Sequence, residues 1–394
     1  MNIFKPLMKN WPIKLSVTLV LVAIVCVTLF LTGTWGTRPD DVNDPDHGGI
    51  VVSPAPTPGD TPAGEDEPAP DAGTEPEPEP QPDPDPEPVF TGPFNPLTGI
   101  PMDEELTRNR PIAMPVGNTV DAQPLNGLSD ADILYEVPAE GAATRMFAIF
   151  QDISAAGLIG GIRSARHYTV QIAYSYDAIL VSYGGSPQAY DEISKLRISH
   201  VDEGRSMLIR SPDRNGRRLS REHTGSTKGS LAAEELPKYN FRMVHDEGYD
   251  LGLVFAEDGT PSNGESAVDI HVQFSGKSST LIYNDEGKVY HLRQFGNDFI
   301  DANDNSFPAF TNILVLKMAV SGIPGDGAGR RDVVTTGNGS GYYANGGKYI
   351  EINWSRADMA SPFVYTHLDG SVLELGIGRS YIAITPALMN PTFE

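Results

Sequence analysis

The stretch AILVSYGGSPQAYDEISKL, residues 178–196, decides the fold class. Ala178 to Tyr183 is a short apolar run of the kind that forms a buried strand. Gly184 and Gly185 break it. Ser186 then suits a helix N-cap and Pro187 the first helical position, which opens a helix over Gln188 to Leu196. Upstream, Tyr168, Ile172, Ala173 and Tyr176 recur at helical spacing, so the residues predict a helix over Ser164 to Tyr176. Strands are predicted over Pro111–Val116, Asp132–Val137 and Arg145–Phe150, and a further helix over Ser226–Leu236. This is a strand–helix–strand–helix pattern. If its two strands run parallel in one sheet, the helix starts near Ser164 and Pro187 share the edge at which open sheets bind ligands. Helix starts carry free N–H groups and favour anions.

Beyond residue 245 the helical periodicity disappears. Strands are predicted over Ile270–Phe274, Thr280–Tyr283, Val289–Phe295 and Ile313–Met318. They continue over Asp332–Thr336, Lys348–Trp354, Phe363–His367 and Tyr381–Ile384. Turn residues separate them, as in Asn284-Asp285-Glu286-Gly287, Asn345-Gly346-Gly347 and Asp369-Gly370. The fold class expected is α+β: a mixed α/β domain over 94–245, then an antiparallel β-rich domain of seven to nine strands over 246–394.

The chain has 394 residues and a formal charge of −23. Lys5, Lys9 and Lys14 precede an apolar run from Leu15 to Leu31, bracketed by Trp11 and Trp35. Read as membrane topology, residues 1–14 are a cytoplasmic basic tail and 15–36 a transmembrane anchor. The alternative is a signal peptide cut near Thr34-Trp35-Gly36. Cys26 is the one cysteine and lies inside this run. Val25 precedes it, where lipid attachment wants a small residue. Residues 37–93 read as a disordered acidic, proline-rich linker, because Arg38 to Phe90 holds 15 prolines and 15 acidic residues against one basic residue. Acidic-proline repeats favour an extended chain of about 3.1 Å per residue, so fifty such residues reach roughly 150 Å. Removing −14 for that segment and +3 for the N-terminus leaves about −12 for the remainder. That balance argues against nucleic acid as a partner, but it leaves room for a local basic pocket.

Several motifs occur in a fixed order. Asn95 to Pro101 reads NPLTGIP, Gly127 to Glu136 reads GLSDADILYE, and Gly161 to Arg166 reads GIRSAR. Gly184 to Tyr190 reads GGSPQAY; Gly329 to Val333 reads GRRDV; Trp354-Ser355 and Ser361-Pro362 follow. Together these resemble the YerB-like (DUF3048) family of bacterial cell-surface proteins, many of them lipoproteins, across residues 94–390. The resemblance implies a surface location and a two-part architecture, with no assigned reaction. The chain departs from the family at Glu222-His223-Thr224, where members often show a Pro-His-Asn type stretch, and in lacking a good lipidation site.

Candidate chemistry gathers in the first half. Arg163 and Arg166, three apart at a helix start, can face one carboxylate or phosphate, or else pair with Asp132, Glu136 or Glu140. Glu140, with Arg163 or His223 assisting, is the candidate acid of a glycan hydrolase or lyase; pairing with Arg145, Arg163 or Arg166 is the bland alternative. Gly184, Gly185 and Ser186 form the expected ligand-side turn. Ser186 reads as an N-cap rather than a nucleophile, since the elbow motif's last glycine is missing. Tyr190, with Tyr168 and Tyr183, lines the expected cleft or packs in the core. Gly337-Asn-Gly-Ser-Gly341 reads as a hairpin turn, not a phosphate loop. The histidines show no metal-binding spacing, so neither a metal nor a cofactor is expected. The resulting expectation is a membrane-held extracytoplasmic module that binds peptidoglycan or an envelope protein. The alternatives are a wall-glycan hydrolase or lyase and a structural assembly factor.

Overall fold

Five strands are apolar at nearly every position, and they form the middle of one sheet. They are β1 (Ile112–Asn118), β2 (Ile133–Pro138), β3 (Thr144–Phe150), β7 (Asn312–Met318) and β11 (Ser380–Pro386). In the computed structural model, which describes residues 92–394, six further strands complete this sheet. They are β4 (Ile179–Val181), β5 (His200–Val201), β6 (Glu265–Ser266), β8 (Gly337–Asn345), β9 (Lys348–Arg356) and β10 (Val364–Thr366). The order across the sheet is β6-β9-β8-β7-β11-β2-β3-β1-β4-β5, with β10 on the flank of β9. Continuous apolar runs imply that both faces of the central strands are covered, and they are. Met114, Val116, Leu134, Met146 and Ala148 join one core, shared with Ile270, Val272, Phe274, Leu281 and Leu292 of a second sheet. Their strand neighbours Ala113, Ile133, Tyr135, Phe147 and Ile149 point the other way. They join a core with Tyr168, Ile172, Ala173 and Ala189 of the helices α1 (His167–Ser175) and α2 (Pro187–Leu196). The layers are therefore sheet, sheet and helix.

The second sheet is antiparallel and one-sided. Asp269–Phe274 and Val289–Gln294 alternate buried with more exposed positions on either side of Lys277–Asn284. All eight strands predicted beyond residue 245 are present. They are not segregated from the first half, however. β11 lies between β7 and β2 and runs parallel to both. The C-terminal segments are thus antiparallel in their local hairpins and parallel where β11 enters. Hairpin signals can be read locally, but the docking of a distant strand cannot.

Three local expectations change. The strands β3 and β4 oppose one another, because β1 pairs antiparallel with β3 and parallel with β4. Gly337 to Gly341 begins strand β8 rather than turning a hairpin. Its glycines let backbone pass closely: a Cβ on Gly339 would sit 2.7 Å from the Trp354 ring nitrogen, and one on Gly341 2.6 Å from the Val315 carbonyl. The turn itself is Gly346-Gly347, with φ of 57° and 75°. Finally, Gly225–Lys228 is a strand paired with Leu158–Gly160 and Ile209–Arg210, and helix begins only at Gly229. The expected anchor and linker, up to residue 91, lie outside the described residues. Among the described residues no helix is long and apolar enough to cross a membrane.

One buried carboxylate clasps the layers. Glu136 on β2 is 0% exposed. It meets Lys277 Nζ at 2.5 Å, Ser279 Oγ at 2.8 Å and Gln294 Nε2 at 2.7 Å from the second sheet, and accepts the Tyr381 hydroxyl from β11. Thr144 and Asn118 add donors from β3 and β1. The residues predict Arg163 or Arg166 as the partner of Glu136; the cation it meets is 141 residues away in sequence. Burial alone would raise the Glu136 carboxyl, but Lys277 and the surrounding donors hold it below the ordinary range. Replacing Lys277 with Met strands a buried charge and should cost about 3–5 kcal/mol in urea unfolding at pH 7. Adding Glu136→Gln to Lys277→Met should recover part of that loss. A single variant as stable as the parent would show that the clasp does not hold the layers.

Candidate functional site

The helix starts do meet at one place. Gly184, at φ +75°, turns the chain out of β4, a conformation that favours glycine. Its N–H donates to Asp202 Oδ1 at 2.8 Å, and its carbonyl accepts from Ser182 Oγ at 2.9 Å. Ala165 N donates to the Gly184 carbonyl at 2.9 Å and Ser186 N to the Ala165 carbonyl at 3.0 Å. The starts of α1 and α2 are thereby locked side by side, although β3 and β4 oppose. Ser186 is the N-cap expected: its Oγ accepts from Ala189 N at 3.1 Å and its side chain is buried. It is not a displayed nucleophile. Tyr190 is 42% exposed and donates its hydroxyl to Asp202 at 2.7 Å. Burial and the Asp202 charge push that phenol up to about 12, so it stays protonated.

Arg163 and Arg166 do not share a helical face. Residues 161–165 are held extended, with Arg163 N on the Pro115 carbonyl and the Arg163 carbonyl on Tyr183 N; Arg166 itself is the N-cap of α1. The two side chains therefore part. Arg166 is buried and binds Glu140 through Nε at 2.6 Å and through Nη2, and it also donates to the Ala165 carbonyl. Arg145 Nη2 meets the other Glu140 oxygen at 3.0 Å. Burial would raise the Glu140 carboxyl, yet Arg145 and Arg166 hold it below the ordinary range. An acid held ionised in this way is poorly suited to donate a proton at neutral pH. Burial also lowers Arg145, to about 10.

Arg163 turns instead toward a polar cavity of about 460 Å³, lined also by Tyr183, Glu203, Arg210, Arg221 and Glu222. Its Nη1 donates to the Glu222 carbonyl at 3.0 Å and lies 3.3 Å from His223 Nδ1. His223 is buried, and burial together with Arg163 lowers its pKa, leaving the ring neutral near pH 7. Arg210 stacks 4.5 Å over the Tyr183 ring and reaches Glu203 at 3.1 Å. The structure thus joins Glu140 to Arg166, and Arg163 to His223. Gly184, Gly185 and Ser186 act through backbone and cap rather than through exposed side chains.

Arg210 and Arg221 escaped the motif reading, as did Arg214. The available signal was charge: residues 205–221 hold six arginines and one aspartate inside an acidic chain. Arg214 sits in the hairpin Asp213–Arg218, turned by Asn215-Gly216 with φ of 55° and 71°. It is 4% exposed, and among the described residues none of its three side-chain nitrogens has a hydrogen-bond partner. Burial lowers it to about 10. A Cβ on Gly160 would come 2.5 Å from its Nη1, at the flexible end of the side chain. Among the described residues, Asp269, His271 and Glu394 are close enough to one another to suit a cation, but all three are partly or fully exposed.

Residues 97–235 match the family model "Protein of unknown function (DUF3048) N-terminal domain", and residues 270–382 match its C-terminal counterpart. A similar protein, named "Putative lipoprotein YerB", comes from Bacillus subtilis (strain 168). It is 28% identical over 302 residues, covering 74% of this chain and 86% of that one. The crystal structure of YerB from Bacillus subtilis superposes with a TM-score of 0.65 at 26% identity, covering 76% of this chain and 99% of that one.

Because the folded Glu140 pKa is depressed, its contribution to stability is present above 4.5, the ordinary value, and is lost as pH falls through the lower folded value. Glu140→Gln should therefore lower stability at pH 7 by about 2–4 kcal/mol, leaving two buried guanidiniums short of a charge. The gap to the parent should narrow on acidification below 4.5. Thermal melts at stepped pH would show it, and a constant gap would contradict the ion-pair assignment.

Proposed function

For a chain that belongs to the DUF3048 family, we infer a role as a membrane-held, envelope-facing binding module that grips carboxylate groups in the Arg163–Arg210–Arg221 cavity. The ligand favoured is peptidoglycan, whose stem peptides carry free carboxylates, or a wall-remodelling protein presenting acidic side chains. The observation that carries this reading is the division of labour among the arginines. Arg145 and Arg166 share the Glu140 carboxylate, whereas Arg163 and Arg221 line a polar cavity together with Arg210, which pairs with Glu203, and Arg210 and Arg221 belong to the basic segment 205–221. Guanidinium forks match carboxylates in geometry as well as charge. In a chain of −23, such a ligand must be held locally, since the protein's overall field repels it.

Location follows from two supports: the lysine-flanked run Leu15–Leu31, read as an anchor, and the lipoprotein name of the Bacillus relative. Residues 37–93 then act as the spacer between membrane and wall. The hydrolase or lyase reading has less behind it. Its acid, Glu140, is paired with two arginines, and its helper His223 lies against Arg163 rather than against Glu140. Tyr190, bound to Asp202, does not line this cavity.

The test uses the full chain, detergent-solubilised, with purified peptidoglycan. Co-sedimentation should fall about tenfold or more in Arg163→Ala/Arg210→Ala and weaken as salt is raised, with no soluble glycan fragments by mass spectrometry. Unchanged sedimentation in the double variant would reject this cavity as the binding site. Fragments that vanish in Glu140→Gln would replace binding with hydrolysis.

A further inference from the structure

A larger cavity of opposite character lies elsewhere in the fold and plays no part in the reading above. It measures about 870 Å³ and opens between the segment around Asn95–Arg108 and the segment His245–Glu257. That size falls within the range of small-molecule sites. Its walls are apolar, with Tyr249, Leu251, Leu253, Phe255 and Ile377. Its lining carries four exposed carboxylates, Asp246, Glu247, Asp250 and Glu257, against one exposed cation, Arg108. Asp246 is partly satisfied by Arg242 at 3.3 Å, and Asp250 accepts from Gly252 N.

A buried histidine forms part of the wall. His245 lines this cavity and is 8% exposed, its ring stacked on Tyr249 with centroids 4.2 Å apart and planes at 13°. Its Nδ1 lies 3.0 Å from Asp177 Oδ2. Asp177 also binds Arg242 and Arg110, and it holds φ +47° just after α1. Nδ1 is thus engaged by that carboxylate, which leaves Nε2 as the other ring nitrogen to be satisfied. Nε2 is buried and has no partner among the described residues. The acidic lining asks for a positively charged group, while the walls ask for an apolar body.

We propose that the cavity beside His245 and Tyr249 binds a small apolar or aromatic amine, with its ring or chain between Leu253, Phe255 and Tyr249 and its ammonium group toward the acidic lining. Aromatic faces in the wall add cation–π attraction to the ion pairing.

The experiment titrates the full chain with dansylcadaverine, an aromatic primary amine, and follows dansyl fluorescence. Its N-acetyl derivative and dansyl-6-aminohexanoate, which is anionic, serve as comparators. The amine should bind about tenfold tighter than either comparator. Glu247→Lys/Glu257→Lys alters exposed side chains only, and circular dichroism confirms that the variant is folded. It should erase the amine's advantage while leaving the acetylated probe within about twofold. Val254→Trp, which fills the cavity from an exposed position, should abolish binding of all three probes. Arg163→Ala/Arg210→Ala should change nothing here, which keeps this site separate from the other. Equal affinity for amine and anion, or an amine advantage that survives charge reversal, overturns the proposal.

Discussion

The fold hangs on a single ionised group in its interior. Taking a carboxylate and an ammonium out of water costs several kcal/mol each, and their attraction repays that only when every remaining lone pair is used. Glu136 meets this condition with Lys277, Ser279, Gln294, Tyr381, Thr144 and Asn118 around it. These partners come from three other strands of the central sheet and from the sheet stacked on it. Hydrophobic contacts between the two sheets would tolerate a shifted register. A carboxylate with six designated donors does not, because any slip leaves some of them unpaired. The clasp therefore contributes specificity of register more than it adds net stability.

That register is transmitted to the surface through a short path. Glu136 fixes β2; β2 ends at Pro138 and leads into the turn that carries Glu140; Glu140 fixes Arg145 and Arg166. Arg166 caps α1, and the neighbouring Ala165 is tied by backbone bonds to Gly184 and Ser186 at the start of α2. Thus the first conspicuous glutamate–arginine cluster in the sequence is scaffolding. It stiffens the ledge on which Arg163 stands, and Arg163, released from that cluster, faces the cavity with Arg210 and Arg221.

Much of this was legible in the residues because it is local. The Ser186 cap followed by Pro187, the helix over the Tyr168–Tyr176 spacing, and the strands β1, β2 and β3 depend on neighbours within a few positions. What the residues could not disclose depends on partners far away in the chain. The insertion of β11 between β7 and β2 brings together strands separated by more than two hundred residues. Lys277 reaches Glu136 across 141 residues, and nothing in the spacing of either announces it. The glycines 337 to 341 looked like a turn because turns and close backbone crossings select the same residue; only Trp354 and the Val315 carbonyl decide between them. The arginines fall between these cases. Their sequence density was visible, but which of them would be neutralised was a question of three-dimensional pairing.

Charge sorting is the last consequence. The described region is acidic as a whole, so a ligand approaching from solvent meets a repulsive field if it is an anion and an attractive one if it is a cation. A binding site for an anion must then concentrate positive charge and shield it, and the basic segment 205–221 does so with arginines stacked on Tyr183 or buried in the Asp213–Arg218 hairpin. The apolar cavity beside His245 has no such need: its acidic lining continues the general field, and its apolar walls set the shape that a ligand must fit. The two cavities therefore differ in what limits them. Occupancy of the arginine cavity should depend on local geometry and fall with salt. Occupancy of the apolar cavity should depend chiefly on buried apolar area, with charge selecting among ligands that already fit.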